Sequence, residues 1–100
     1  MKTTIQEQDG NKVAFLEGRL DTPTAPEAEK ALSPLYDSTG CDIIIDCTSL
    51  EYICSAGLRI FLRILKSAQE KGDHLYIRGI NDDIRAVFAM TGFINIFKFL

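Results

Sequence analysis

One short stretch of the chain, SLEYICSAGLRIFL at residues 49–62, combines side chains that can do chemistry with a change of local structure. A β-prone apolar run ends just before Cys54, which is followed by three small residues, Ser55, Ala56 and Gly57. A strongly apolar helix is predicted to begin there. A hydroxyl at the start of a helix can cap the free N–H groups of its first turn. Alternatively, small side chains and bare backbone allow another molecule to come close.

Cys54 is a candidate nucleophile. The spacing from Cys54 to Arg59 is C-x4-R, which is similar to the loops of rhodanese-like sulfurtransferases, and a helix N-terminus and an arginine would both stabilise a thiolate. Two observations disfavour this enzyme. Residues 48–53 separate Cys54 from the preceding predicted strand, whereas such a cysteine usually follows a strand directly. Arg59 also falls on the polar face of the predicted helix. A measured thiol pKa at Cys54 close to that of a free cysteine would exclude a sulfurtransferase that uses this residue.

Composition and charge exclude several other classes of function. Three cysteines with five and six residues between neighbours fit neither a disulfide framework nor a zinc site, and the single histidine is isolated, so we expect no metal or cofactor. The net charge is -3 without any block of basic residues, which disfavours binding to nucleic acid. No apolar run is long enough to cross a membrane, and the N-terminus is polar. We expect one cytoplasmic domain of residues 1–100.

The hydrophobic pattern predicts an α/β fold. Two alternating segments, TTIQEQ and KVAFLEGRL, flank a DGN turn and predict an antiparallel hairpin. CDIIIDC, residues 41–47, predicts a short strand that is buried on both faces, and HLYIRG predicts another. Helices are predicted at 21–36, 56–71 and 81–92, and FINIFKFL at the end is a short strand or a packed tail. The order is ββαβαβα plus this tail, which implies a mixed, mostly parallel sheet.

Local signals predict where the helices begin and end. Thr24 and Glu27 have the spacing of a capping box at the start of the first helix. Pro34 predicts a kink or an early end of the same helix, because proline cannot donate a backbone hydrogen bond. Asn81 and Gly92 are predicted to cap the third helix at its start and its end.

The second helix is amphipathic, with one ambiguous flank. Its apolar face is predicted to comprise Leu58, Phe61, Leu62, Leu65 and Ala68, and its polar face Arg59, Arg63, Lys66 and Glu70. Ile60 and Ile64 fall outside both faces. Either a neighbouring helix or loop covers them, or they are exposed and form part of a surface that binds a partner.

Three motifs, in order along the chain, resemble the STAS domain, the module shared by sulphate transporters and anti-sigma factor antagonists. DCTSLEYICSAGL is similar to the family pattern of an apolar strand, an acid, a short loop and a Ser-small-Gly-Leu helix start. GRLDTPTA at residues 18–25 resembles the turn into the first helix, and MTGFINIF at residues 90–97 resembles the closing segment. The resemblance therefore covers essentially the whole chain.

The resemblance implies that the chain is an anti-sigma factor antagonist and not an enzyme. It implies that Ser55 is phosphorylated by an anti-sigma factor that is also a serine kinase, that only the unphosphorylated antagonist binds this partner, and that a serine phosphatase resets the switch. Asp21 and Asp46 match acidic positions expected to lie near the serine. The partner is expected to contact these two acids together with Cys54, Ala56, Gly57 and Ile60. Some of these residues also have a purely structural alternative. Ser55 could be an ordinary helix cap, and the two acids could satisfy nearby backbone N–H groups. Gly57 could be required for close packing.

Two positions depart from the family pattern. Cys54 stands where an acidic or polar residue is common, which leaves the specificity of the kinase open, and Ala56 stands where a second serine is frequent. A further alternative is a STAS subunit that acts as a scaffold on a membrane transporter complex, in which Ser55 need not be phosphorylated.

Overall fold

The computed structural model describes all 100 residues of the chain. Five strands and three α-helices alternate after an initial hairpin, with two short 3-10 turns. In chain order they are β1 (Lys2–Gln8), β2 (Asn11–Leu20), α1 (Ala25–Leu32), a 3-10 turn (Ser33–Asp37), β3 (Ile43–Ile53), α2 (Ser55–Glu70), β4 (Leu75–Arg78), α3 (Asp82–Thr91), a second 3-10 turn (Phe93–Asn95) and β5 (Lys98–Phe99). The predicted order ββαβαβα is confirmed, and of the two predictions for the end of the chain, a short strand or a packed tail, the structure shows the strand.

The strands form one sheet in the order β1-β2-β3-β4-β5. The β1–β2 pair is antiparallel and the other three pairs are parallel, so the predicted mixed, mostly parallel sheet is also confirmed. Each parallel connection passes through a helix, as crossover connections require. The carboxyl ends of β2 and β3 therefore lie side by side at one edge of the sheet, where β3 leads into α2.

The main hydrophobic core lies between the helices and one face of the sheet. Alternate residues of the central strands, such as Leu16, Ile45 and Ile77, join one buried cluster with Phe61 of α2 and Phe88 of α3. The other sheet face carries the remaining alternate residues, in which polar side chains are mixed with apolar ones. This second face is separated from the helices by the full thickness of the sheet.

β3 is longer than predicted. The sequence suggested a strand at 41–47 and a linking segment at 48–53, but the strand runs continuously from Ile43 to Ile53. Its core residues Cys47, Leu50 and Ile53 are spaced by three, because the pairing of β2 with β3 contains two register shifts. Such bulges insert extra residues into one strand and break its period of two, which hid the strand in the sequence.

The start of α1 differs from the prediction, whereas its end is confirmed. Thr24 is the N-cap residue, but no capping box forms with Glu27. Instead, the Thr24 hydroxyl accepts from the Asp21 N–H at 2.9 Å, and the Asp21 carboxylate accepts from the Thr24 N–H at 3.2 Å. The box-like pair therefore lies one turn earlier. At the other end, α1 stops at Leu32 and Pro34 enters the 3-10 turn.

The other helix boundaries agree with the prediction. The Asn81 side chain accepts from the Ile84 N–H at 2.8 Å and caps α3, and Gly92 ends that helix in the left-handed conformation. α2 starts at Ser55, one residue earlier than predicted, and stops before Gly72. None of the helices combines the length and the apolar character needed to cross a bilayer.

Candidate functional site

The start of α2 is held against the carboxyl end of β2 by the backbone. Leu20 pairs with Ile53 at the last rung between β2 and β3, and the Cys54 N–H then donates to the Leu20 carbonyl at 2.9 Å. Because Asp21 follows Leu20 in the chain, it is brought to the same edge of the sheet as Ser55. This register agrees with the expectation that Asp21 lies on the side of the sheet where α2 begins. We use the name α2 entrance for residues at the two strand ends and at the start of α2: Arg19, Asp21, Tyr52, Cys54, Ser55 and Ala56.

Ser55 is the first residue of α2 and is exposed. The N-cap residue is Cys54, in an extended conformation and without a capping bond from its thiol, so Ser55 is not an ordinary capping serine. The Ser55 hydroxyl makes no hydrogen bond in the molecule. The first intrahelical bond runs from the Leu58 N–H to the Cys54 carbonyl at 3.1 Å, which leaves the preceding N–H groups of the first turn without helical acceptors. Ser55 is thus an unbonded hydroxyl beside the positive end of a helix.

Asp21 is ionised in a partly exposed position. Its side chain is 30% exposed and lies 3.7 Å from the guanidinium of Arg19. The hydrogen bond donated by the Thr24 hydroxyl at 2.9 Å is the main reason why the pKa of Asp21 lies below its ordinary value. The carboxylate therefore presents a fixed negative charge at the α2 entrance.

Asp46 does not lie at the α2 entrance, and its predicted place near Ser55 is wrong. It pairs with Phe15 in the middle of the sheet, five β2 residues before Leu20. At about 3.3 Å per residue this separation is roughly 16 Å. The sequence motif places Asp46 close to Ser55 in number, but an extended strand carries the two residues apart.

The Asp46 carboxylate is buried and hydrogen-bonded on the sheet face without helices. It is 8% exposed, and it accepts from Arg78 Nε at 2.7 Å and from the Thr48 N–H at 2.9 Å. Burial would raise the pKa of Asp46, but these hydrogen bonds outweigh it and hold the pKa below its ordinary value. The residue ties β3 to β4, and each of its carboxylate oxygens already accepts a hydrogen bond within the fold.

Gly57 faces the core and not the solvent. A β-carbon at this position would lie 2.7 Å from Cγ of Leu20 and 2.9 Å from Cγ1 of Ile53. Those distances are shorter than van der Waals contact, so glycine is required for the close approach of α2 to the sheet. The packing alternative is therefore supported, and contact of Gly57 with a partner is not.

The interpretation of Ile60 and Ile64 as an exposed patch is wrong. Ile60 is only 1% exposed and Ile64 is completely buried, because α1 and the following 3-10 turn cover this flank of α2. The alternative prediction, that a neighbouring element covers them, is confirmed. Ile60 reaches the floor of an open groove of about 700 Å³ between α1 and α2. The rim of that groove near Ser55 is formed by Ala56 and Arg59, and Ala56 remains partly exposed.

Cys54 occupies a different setting from the one that the sequence suggested. It follows β3 directly, so one of the two arguments against a nucleophilic cysteine is wrong. The second argument holds, because Arg59 is exposed on the polar face of α2.

Cys47 is buried, and burial raises the pKa of its thiol to about 12. No three acidic, histidine or cysteine side chains are grouped so that they could share a metal ion.

Two residues of the α2 entrance were missed in the sequence. Arg19 stacks over the ring of Tyr52 at 4.5 Å from the ring centre, and Tyr52 is 39% exposed, although it is a large aromatic residue. The sequence did indicate that both residues lie close to the motifs, since Arg19 is inside the GRLD motif and Tyr52 is two residues before Cys54. Without the register of β2 and β3, nothing in the sequence showed that the two side chains meet.

Known proteins resemble this chain over most of its length. A family model of the STAS domain matches residues 2–100. BtrV of Bordetella bronchiseptica, a protein assigned to the anti-sigma factor antagonists, is 32% identical over 97% of this chain and 84% of its own length.

Two solved structures extend the comparison to the fold. An anti-sigma factor antagonist from Mycobacterium paratuberculosis is 25% identical with a TM-score of 0.83, over 98% of this chain and 83% of its own. The Bacillus cell fate determinant SpoIIAA in its phosphorylated form has a TM-score of 0.72 at 16% identity, over 99% and 91% of the two chains. By its matched family model, its sequence relatives and its fold, the chain belongs to the STAS domain family.

Proposed function

We propose that residues 1–100 act as a single STAS domain that antagonises an anti-sigma factor. In this proposal the unphosphorylated chain binds an anti-sigma factor that is also a serine kinase, and the sigma factor is released. Phosphorylation of Ser55 then breaks the complex. The relatives named as anti-sigma factor antagonists support the role, and the exposed, unbonded hydroxyl of Ser55 at the start of α2 supports the site.

The modification is a phosphoryl transfer carried out by the partner. The Ser55 oxygen forms a bond to the γ-phosphorus of ATP, the bond to the β–γ bridging oxygen breaks, and ADP leaves. The hydroxyl proton passes to a base of the kinase. A later hydrolysis by a serine phosphatase returns the hydroxyl and inorganic phosphate. The chain itself supplies only the acceptor oxygen and is not an enzyme.

The start of α2 is suited to carry a phosphate without refolding. A phosphoserine has about −1.5 to −2 charges at neutral pH, and the free N–H groups and dipole of a helix start favour such a charge. SpoIIAA, which shares this fold, has been solved in a phosphorylated form, so the fold accommodates phosphorylation in that protein. We therefore place the switch at the binding surface and not in the folding of the domain.

The partner is released because it is fitted to a small neutral hydroxyl. On binding, it would have to remove water from a dianion, and an uncompensated buried charge is strongly unfavourable. A penalty of about 1.4 kcal/mol already weakens binding tenfold. A binding penalty of a few times this size is sufficient for a switch.

The proposed partner surface is the α2 entrance. Asp21, Cys54 and Ala56 stay in it as predicted, because each is at least partly exposed beside Ser55. Arg19 and Tyr52 join it from the neighbouring strand ends. Asp46, Gly57 and Ile60 are left out, because all three residues are buried in the fold.

The phosphorylation site can be tested by intact mass. Incubation with the cognate anti-sigma kinase and ATP should add one phosphate to the wild-type chain, and Ser55→Ala should abolish the addition while the variant still binds the kinase. Ser49→Ala is the matched control, because Ser49 is an exposed serine six residues earlier on β3, and it should be phosphorylated normally. A phosphate that persists on Ser55→Ala would overturn the site.

A further inference from the structure

Arg59 is a cation without a partner, one helical turn after Ser55. It is exposed, and none of the ion pairs of the molecule includes it. Residues four apart on a helix are neighbours on its surface, about 5–6 Å between β-carbons. Both positions lie in α2, and both are exposed on its solvent side.

The direction of the side chain brings the charge towards Ser55. In an α-helix each Cα–Cβ bond tilts towards the N-terminus, so a long side chain covers the turn that precedes its own Cα. For Arg59 that turn begins at Ser55. The order of the two charges along the helix is also favourable, because an anion placed four residues before a cation agrees with the helix dipole.

The neighbouring arginines are engaged elsewhere. Arg63, one turn further along α2, pairs with Glu29 of α1 at 2.6 Å. Arg19 lies 3.7 Å from the Asp21 carboxylate and stacks on Tyr52. Arg59 is therefore the arginine that is free to take a new anion at the α2 entrance.

We propose that Arg59 holds the phosphate of phosphorylated Ser55 on the surface of α2, as a second anchor besides the helix N-terminus. This inference rests on the proposed phosphorylation of Ser55. It assigns Arg59 no part in the unphosphorylated fold. A contact between Arg59 and the phosphate also explains how the dianion can be tolerated close to the negative charge of Asp21, since the guanidinium neutralises part of the phosphate charge.

The test places the modification directly, without a kinase. Phosphoserine is incorporated at position 55 during translation, and the second pKa of the phosphate, ordinarily about 6, is followed by phosphorus NMR. An arginine beside the phosphate favours the dianion and lowers this pKa. Arg59→Gln should therefore raise it by about 0.2–0.4 units, which is the pKa equivalent of a helical ion pair. In Arg59→Lys the phosphate pKa should stay closer to that of the parent than in Arg59→Gln.

Matched variants locate the effect. Arg63→Gln and Arg19→Gln should leave the phosphate pKa within error of the parent. In thermal unfolding, Arg59→Gln should lower the melting temperature of the phosphorylated protein by about 1–3 °C and leave the unphosphorylated protein unchanged. Raising the salt to 1 M should shrink that difference, because the pair is exposed.

The inference is overturned if Arg59→Gln leaves the phosphate pKa unchanged, or if Arg19→Gln raises it more than Arg59→Gln does. These results are independent of the kinase experiment. Failure of the kinase to modify Ser55 would overturn the proposed function, while the titration of the translated phosphoserine would still report whether Arg59 contacts the phosphate.

Discussion

The α2 entrance and the Asp46–Arg78 pair both place an aspartate near an arginine, yet they are built in opposite ways. Asp46 is almost completely buried, and its two carboxylate oxygens accept from Arg78 and from the Thr48 N–H. Asp21 is partly exposed, and Arg19 lies 3.7 Å away in a looser arrangement. One carboxylate is bound within the sheet, whereas the other remains accessible.

The difference indicates which polar groups are available for regulation. A buried carboxylate that accepts hydrogen bonds within the fold stabilises it, because its removal leaves other buried groups without partners. At the α2 entrance, the Ser55 hydroxyl and the first N–H groups of α2 have no partners within the chain, and one turn further along α2 the Arg59 guanidinium forms no ion pair. Groups of this kind can bind another molecule without loss of folding energy. The contrast between the two regions can be tested by mutation.

The largest expected effect is a loss of stability in Asp46→Ala. The variant leaves Arg78 and the Thr48 N–H without their acceptor, and hydrogen bonds to charged groups contribute about 1.5–3 kcal/mol. We expect a decrease of this size in the free energy of unfolding, measured by urea denaturation. The matched variant is Asp21→Ala, which loses the bond to Thr24 and should be destabilised by only about 1 kcal/mol.

The same pair of variants separates stability from binding. Asp21→Ala should weaken binding of the anti-sigma factor more than Asp46→Ala does, when both are assayed at a temperature where each is folded. The contrast between the two regions would be wrong if Asp46→Ala were as stable as the parent, or if it were the variant with the larger binding defect.

The next largest effect is expected from Gly57→Ala. In the interior of a helix, alanine normally stabilises by up to about 1 kcal/mol relative to glycine. Here the added β-carbon would lie 2.7 Å from Cγ of Leu20, and overpacking of this kind typically costs about 1–3 kcal/mol. We therefore expect a lower melting temperature in calorimetry. A higher melting temperature would show that the space beside Leu20 is open and that Gly57 is available to a partner.

A smaller effect should appear in the pH dependence of stability. The pKa of Asp46 is lower in the folded state, so its contribution is complete above the unfolded pKa of about 3.9 and is lost as the pH falls through the folded value. The difference in unfolding free energy between the parent and Asp46→Ala should be constant from pH 7 to 5 and should narrow below about pH 4. Urea titrations of both proteins at each pH provide the measurement. A difference that widened in acid would contradict the assignment of Asp46 as an ionised, hydrogen-bonded group.

The smallest effect on stability is expected from Ser55→Asp. Ser55 is exposed and its hydroxyl is unbonded, and an acid in the first turn of a helix is favourable by about 0.3–1 kcal/mol. The melting temperature should therefore stay within a few degrees of the parent, whereas binding of the anti-sigma factor should weaken. Loss of cooperative unfolding in this variant would show that Ser55 belongs to the packed structure.

Much of the fold could be predicted because its signals are local. The DGN turn, the apolar run Ile43–Ile45, the Asn81 cap and the Gly92 stop each depend on a few neighbouring residues, and the structure confirms each of them. Ser55 was also recognised at the start of a helix. The order of strands and helices then restricted the sheet to a mostly parallel arrangement.

The errors concern features that depend on distant parts of the chain. The bulges that lengthen β3 arise from its register with β2, and no window within residues 48–53 reveals them. The burial of Ile60 depends on where α1 packs. Asp46 was placed near Ser55 because the motif is continuous in sequence, but Asp46 pairs with Phe15, which lies roughly 16 Å of extended strand before the end of β2.

The central claim is that phosphorylation of Ser55 controls binding through charge at the surface of an unchanged fold. The most direct test is the affinity of the cognate anti-sigma factor for the chain with serine and with phosphoserine at position 55, measured by calorimetry on both forms. We predict at least tenfold weaker binding of the phosphorylated form, with the same melting temperature to within a few degrees. Equal affinities for the two forms would contradict the account, as would a phosphorylated form that fails to fold.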